Sequence, residues 1–242
     1  MAKDKYTRVL TVTFDGELSP WEVPYFRGAV IATMGDKSNL LFHNHDGDEK
    51  LRYSYPLIQY KRIGGKAAIV CVNEGADMIG QFLSEGKTSF NIGNRTGEFN
   101  LEKVSPNRAL IQTWDKRFQY RISKWLALNS VNYRRYLDAD GIVEKTELLQ
   151  GILTGNLLSM CKGLDIFLEK QIEVKITKLS EPYTVRNKGV KLVSFNAEFT
   201  CNMFLPNYIG IGKNASIGYG VITEKKDCRK KDNEDNDTDN DG

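Results

Sequence analysis

Only two histidines, four cysteines and six prolines occur among the 242 residues, and these scarcities narrow the chemistry. The cysteines, Cys71, Cys161, Cys201 and Cys228, lie far apart and form no Cys-x-x-Cys pair. That disfavours a disulfide framework or a cysteine-based zinc site. No apolar run approaches the roughly 18–20 residues that a membrane-spanning helix needs. The opening residues carry Lys3, Asp4, Lys5 and Arg8, with no apolar core and cleavage site behind them. A signal peptide is therefore not expected; a cytoplasmic protein with no membrane partner is. A strong charge of one sign is missing too: 34 Lys+Arg stand against 31 Asp+Glu, a net +3, which does not by itself imply a nucleic acid.

What is present describes a folded protein. Hydrophobic residues make up 40% and charged residues 27% of the chain, a globular composition, and the length suits one or two domains. The charge is uneven. Residues 225–242 hold five of the basic and seven of the acidic residues, so the remainder carries 29 basic and 24 acidic residues, a body of +5. That last stretch has no aliphatic or aromatic residue and reads as a disordered acidic tail.

Periodicity organises the rest. Leu10, Val12 and Phe14 alternate with Val9, Thr11 and Thr13, a strand ending at Asp15-Gly16. Ser19-Pro20-Trp21-Glu22 starts a helix through Phe26, Val30 and Met34. Residues 51–63 and 67–72 flank Gly64-Gly65 as a hairpin. A short helix over 74–83 carries Met78, Ile79 and Phe82 on one face, and residues 88–104 return as strand. This order is the βαββαβ plan of a ferredoxin-like unit. The second half repeats it less cleanly: strand over 118–128, a broken helical stretch near 133–137, a long helix over 147–167, then strands over 172–179, 190–203 and 221–222. The expected fold class is α+β: two tandem ferredoxin-like (RRM-like) domains with antiparallel sheets. One covers residues 1–105 and one 106–224, parted near the turn cluster Ser105-Pro106-Asn107, with the tail over 225–242.

Two features carry chemistry. The first is Pro-Asn-Tyr-Ile-Gly-Ile-Gly-Lys-Asn-Ala-Ser-Ile-Gly-Tyr-Gly over 206–220, where Gly210, Gly212, Gly218 and Gly220 flank Lys213. Glycines allow close backbone approach, so successive amides can face one anion. A P-loop would need glycine where Asn207 stands, and a dinucleotide fingerprint would need a following helix. A glycine-rich hairpin turn explains the same spacing. The second is Phe42-His43-Asn44-His45-Asp46, which holds both histidines. On an extended segment positions i and i+2 project to one side, so both imidazoles can reach one ligand. Two exposed loop histidines, a metal dyad with Asp46, or proton transfer without metal all fit this spacing.

The terminal Gly-x-Gly-Lys-x(4)-Ile-Gly-Tyr-Gly loop after a long alternating strand resembles the glycine-rich signature of the RAMP RNA-binding proteins of CRISPR systems. Together with Phe26-Arg27-Gly28, the histidine pair and Tyr55-Pro56-Leu57-Ile58-Gln59-Tyr60-Lys61, the chain resembles the CRISPR repeat-processing endoribonucleases (the Cas-six family), in its two-histidine branch. The resemblance implies a metal-independent cut within the repeats of CRISPR precursor RNA, without cofactor. Attack by a 2′-hydroxyl would leave a 2′,3′-cyclic phosphate and a 5′-hydroxyl, giving mature crRNA. It makes His43 and His45 the general base and acid, with Lys50 and Lys61 as candidate cations for the phosphorane and Tyr25 as an orienting group. Gly210, Gly212, Lys213, Gly218 and Gly220 become RNA-binding residues. The implied partner is repeat RNA, with other CRISPR effector-complex proteins and a homodimer as further candidates. Lys116-Arg117, Arg134-Arg135 and the Arg186, Lys188, Lys191 set lie near Tyr133, Tyr136 and Tyr183 and offer more charge for phosphates. Two other functions compete: a RAMP subunit that binds guide RNA without cutting it, and a metal-dependent hydrolase using His43, His45 and Asp46.

Overall fold

A computed structural model describes residues 6–34, 55–187 and 189–225. The first half runs β1 (Thr7–Glu17), α1 (Val23–Met34), β2 (Ile58–Ile63), β3 (Lys66–Val72), α2 (Glu74–Ser84), the small hairpin β4 (Ser89–Ile92) and β5 (Arg95–Glu98), and β6 (Leu101–Ala109). Its sheet is antiparallel in the order β2-β3-β1-β6. The alternation in β1 is realised: Val12 and Phe14 pack with Phe26 and Val30 of α1, while Val9 points into the other core. β3 is buried along almost its whole length because both faces are covered. Ala67, Ile69 and Cys71 face the helices, and Val70 and Val72 face the second half. That is why this strand reads as a continuous apolar run instead of an alternating one.

The second half runs β7 (Thr113–Trp125), α3 (Ser130–Asp138), α4 (Gly141–Gly163), β8 (Val174–Leu179), β9 (Tyr183–Asn187), β10 (Val190–Met203) and β11 (Val221–Glu224). Its sheet has the order β11-β7-β10-β8, with β9 paired to the start of β10. Both halves are thus ferredoxin-like sheets. In the second, a loop with one 3₁₀ turn (Ala215–Ile217) stands where the second helix would be. Leu149, Leu153, Leu157, Met160 and Cys161 of α4 fill the core against Tyr120, Ile122, Phe195 and Phe199, and that same cluster includes Val9, Val70 and Val72 of the first sheet. One apolar core therefore joins the two units.

Several local expectations change. The first strand does not stop at Asp15-Gly16; it continues to Glu17 through a shift in register, where Asp15 N–H donates to Asn100 O. Ser105, Pro106 and Asn107 form no turn. They lie inside β6, an edge strand, where a proline costs no ladder bond on its open side. The long helix begins at Gly141, six residues earlier than its apolar spacing suggests. It ends at Gly163 because Asp165 turns left-handed (φ 55°), with Ile166 N–H on Cys161 O and Asp165 N–H on Lys162 O, a Schellman closure. Phe167 is left 89% exposed. β9 is a strand beyond those expected from the sequence. Cys71, Cys161 and Cys201 are buried free thiols, and no helix among the described residues is long and apolar enough to cross a membrane.

Candidate functional site

The glycine-rich loop leaves β10 at Met203 and crosses to the edge of the other sheet before β11. Its path is set by backbone packed on backbone. A Cβ on Gly220, which has φ 60°, would stand 2.0 Å from Ile211 O. There Ile211 N–H donates to Gly220 O (2.9 Å) and Gly220 N–H to Lys124 O (3.1 Å). A Cβ on Gly210 would stand 2.5 Å from Lys61 Nζ. The amides of Tyr208, Gly210, Ile211, Ile217 and Gly220 are bonded to protein acceptors. Only part of the loop's amides is thus available to face an anion. Gly212 and Lys213 are exposed and Gly218 is half-buried.

The first sheet holds this loop by two polar side chains of its edge strand β2. Gln59 is fully buried; its Oε1 accepts from Gly210 N–H (2.7 Å) while its Nε2 donates to Pro56 O (3.0 Å). Lys61, two residues on and equally buried, donates from Nζ to Ala215 O (2.7 Å). Burial pushes the Lys61 amine down to about 7, since the interior disfavours its charge. Lys61, read from the sequence as a cation for the scissile phosphate, is thus enclosed and bonded to the loop backbone.

The loop also packs closely against the second unit. Trp125 Nε1–H donates to Asn156 Oδ1 (2.9 Å), and the same oxygen stands 2.7 Å from where a Cβ on Gly212 would lie. Sequence reasoning missed Gln59 and Asn156. Gln59 had one signal, a polar residue two before Lys61 and so on the same face of the strand; Asn156 sits on a helix that carries other polar residues and had none.

Of the other site residues, Tyr25 stands apart from the loop. It is 54% exposed on α1, and its ring lies over Gly93 of the β4–β5 turn. Its neighbour Phe26 is the one that turns inward, edge-on to Tyr60. His43, His45 and Lys50 lie outside the described residues, as does Asp46. Tyr55, the first described residue after α1, is buried against Gly163 of α4. Among the described residues no three metal-ligating side chains converge.

Comparison with known proteins agrees with this architecture. The family model for the Cas6b N-terminal domain matches residues 5–109, and that for the Cas6b C-terminal domain matches residues 112–225. A crystal structure of Cas6b superposes with a TM-score of 0.83 at 28% identity, over 91% of this chain and all of that one. A crystal structure of the CRISPR RNA processing endoribonuclease Cas6b gives 0.69 at 26% identity, over 91% and 100%. An uncharacterized protein of Methanocaldococcus jannaschii, MJ0978, is 45% identical over 103 residues, 42% of this chain and 67% of that protein.

Proposed function

The chain belongs to the Cas6b family, and from that premise we propose that it is an endoribonuclease that cuts CRISPR precursor RNA within its repeats without metal. The observation that carries the reading is the pair of family matches, which together span residues 5–225 apart from two positions and take in the histidine pair and the glycine-rich loop. In the reaction, the 2′-hydroxyl on the 5′ side of the scissile bond attacks phosphorus. Its proton goes to one imidazole of the His43/His45 pair, and the leaving 5′-oxygen takes a proton from the other. The products are a 2′,3′-cyclic phosphate and a 5′-hydroxyl. Each proton transfer contributes about 10²–10⁴ in rate. Lys50 supplies positive charge to the phosphorane, and Tyr25 orients the reacting groups. Lys61 acts at one remove as a positioning residue, fixing the loop whose Gly210, Gly212, Lys213, Gly218 and Gly220 contribute to the RNA surface.

The test is cleavage of repeat RNA in EDTA by the unaltered chain and by His43→Ala/His45→Ala. The expected result is a cyclic-phosphate end from the first and a loss of about 10⁴-fold or more from the second. Binding without cutting by the unaltered chain would make it a guide-RNA-binding RAMP protein instead. Activity that returns only with added metal would point to a hydrolase using His43, His45 and Asp46.

A further inference from the structure

Among the described residues, the second sheet has one covered face and one open face. Tyr120, Ile122, Ile176 and Phe199 send the first into the shared core. The residues between them point the other way, where Arg121 of β7 and Lys175 and Lys178 of β8 are exposed. Strand register sets these side chains in rows. Arg121 stands opposite Thr223 of β11 on one side and Glu198 of β10 on the other, and Glu198 stands opposite Lys178. In the next row Gln119 faces Thr200, and Thr200 faces Lys175. Residues directly opposite in an antiparallel ladder share a face, on strands about 4.8 Å apart. Arg121 and Lys178 therefore flank a single carboxylate, and Lys175 has no acid in its row.

That carboxylate is already engaged. Glu198 Oε2 accepts from Lys225 Nζ (2.8 Å), just beyond β11. This bond holds the Glu198 carboxyl below the usual carboxylate range, and Lys178 and Arg121 add to the effect. Toward the start of β7 the acids are matched as well, Glu173 by Arg117 and Asp115 by Lys170. Among the described residues Arg121, Lys175 and Lys178 take part in no ion pair. The open face thus carries three cations in excess of its acids, beside the hydroxyls of Thr200 and Thr223. No aromatic ring stands in these rows, so nothing there stacks on an unpaired base. Exposed lysine, arginine and hydroxyl groups without a stacking ring suit phosphate oxygens, which carry charge and no sequence.

We propose that the open face of the second sheet, through Arg121, Lys175 and Lys178, binds the phosphate backbone of RNA independently of its sequence. The identity of the polyanion rests on the ribonuclease reading; the surface itself rests on strand register. Two probes test it: an oligouridylate, and an RNA of one CRISPR repeat from the source genome. The repeat carries a 2′-deoxynucleotide at the position where it is cut, so that binding is read without cleavage. Arg121→Gln/Lys175→Gln/Lys178→Gln removes three phosphate contacts, and the slope of log affinity against log salt becomes shallower by about 2 on both probes. Its deficit against the unaltered chain widens about fourfold with each halving of salt. Glu198→Gln acts in the opposite sense. It frees Lys225, steepens both slopes by about 0.7 and tightens binding, a gain that misfolding cannot produce. Failure of the ribonuclease reading shows separately, as repeat RNA left uncut in EDTA while the oligouridylate still binds. A loss confined to the repeat probe, or weaker binding by Glu198→Gln, overturns the proposal. So does an unchanged slope in the triple variant, which leaves the face to an acidic protein surface.

Discussion

The amine of Lys61 loses its proton near pH 7 in the folded chain, against 10.5 when solvated. Between those values the unfolded chain binds more protons than the folded one, so stability rises with pH through the window. The penalty for enclosing the ammonium is fully present below about 7 and is relieved above it. The urea midpoint of the unaltered chain should therefore climb between about pH 7 and about 8.5, and Lys61→Met should flatten the climb. The range stops there because the buried thiols of Cys161 and Cys201, pushed up to about 11, favour unfolding once free thiols ionise. Equal slopes in the two proteins would refute the assignment. Lys61→Met also leaves Ala215 O without its donor, a loss of about 1–3 kcal/mol at every pH.

At the scale of elements, the glycine-rich loop is a clamp and its glycines are unequal. Gly220→Ala places a methyl against Ile211 O and forces an L-residue to φ 60°, which costs about 3 kcal/mol in chemical denaturation. Gly151→Ala, in the middle of α4 with open space around it, should instead gain about 0.8–1 kcal/mol from helix propensity. If both changes destabilise alike, crowding is not what selects glycine in the loop. Legibility in the sequence also divides by element. The two-residue period of β10 and the three-four spacing of α4 show in the letters, because one face of each meets a core. β9 is less legible: its five residues alternate between half-buried and exposed with none fully buried, and its place is set by pairing with β10 around Gly189. The glycines and Lys61 were readable as residues of interest, but their contact was not. The bonds that join them span 151 and 154 positions, and no local pattern encodes a meeting that distant. The histidine pair lies outside the described residues.

At the scale of the whole molecule, the first sheet has a core of its own on its helix side, around Phe26 and Phe90, and shares a second core with the other unit. Val9, Val70 and Val72 of one belong to the cluster built on Trp125, Leu153 and Phe195 of the other. Unfolding should then be a single transition, with calorimetric and van't Hoff enthalpies in agreement and with tryptophan fluorescence and far-ultraviolet circular dichroism coinciding. Two resolved transitions would mean that the shared cluster contributes little to coupling the halves.

The polar side chains on β2 have a consequence for the order in which the chain is made. β2 is the outermost strand of its sheet, and the loop that covers it is synthesised about 150 residues later. Until then no other strand among the described residues covers that edge, and a neighbouring chain on the ribosome or in the cell can reach it. A lysine and a glutamine on its inward face make that edge a poor template for a foreign strand, since pairing would bury both without partners. The same two residues accept the loop when it arrives. Lys61 thus protects the nascent half before it fastens the finished one.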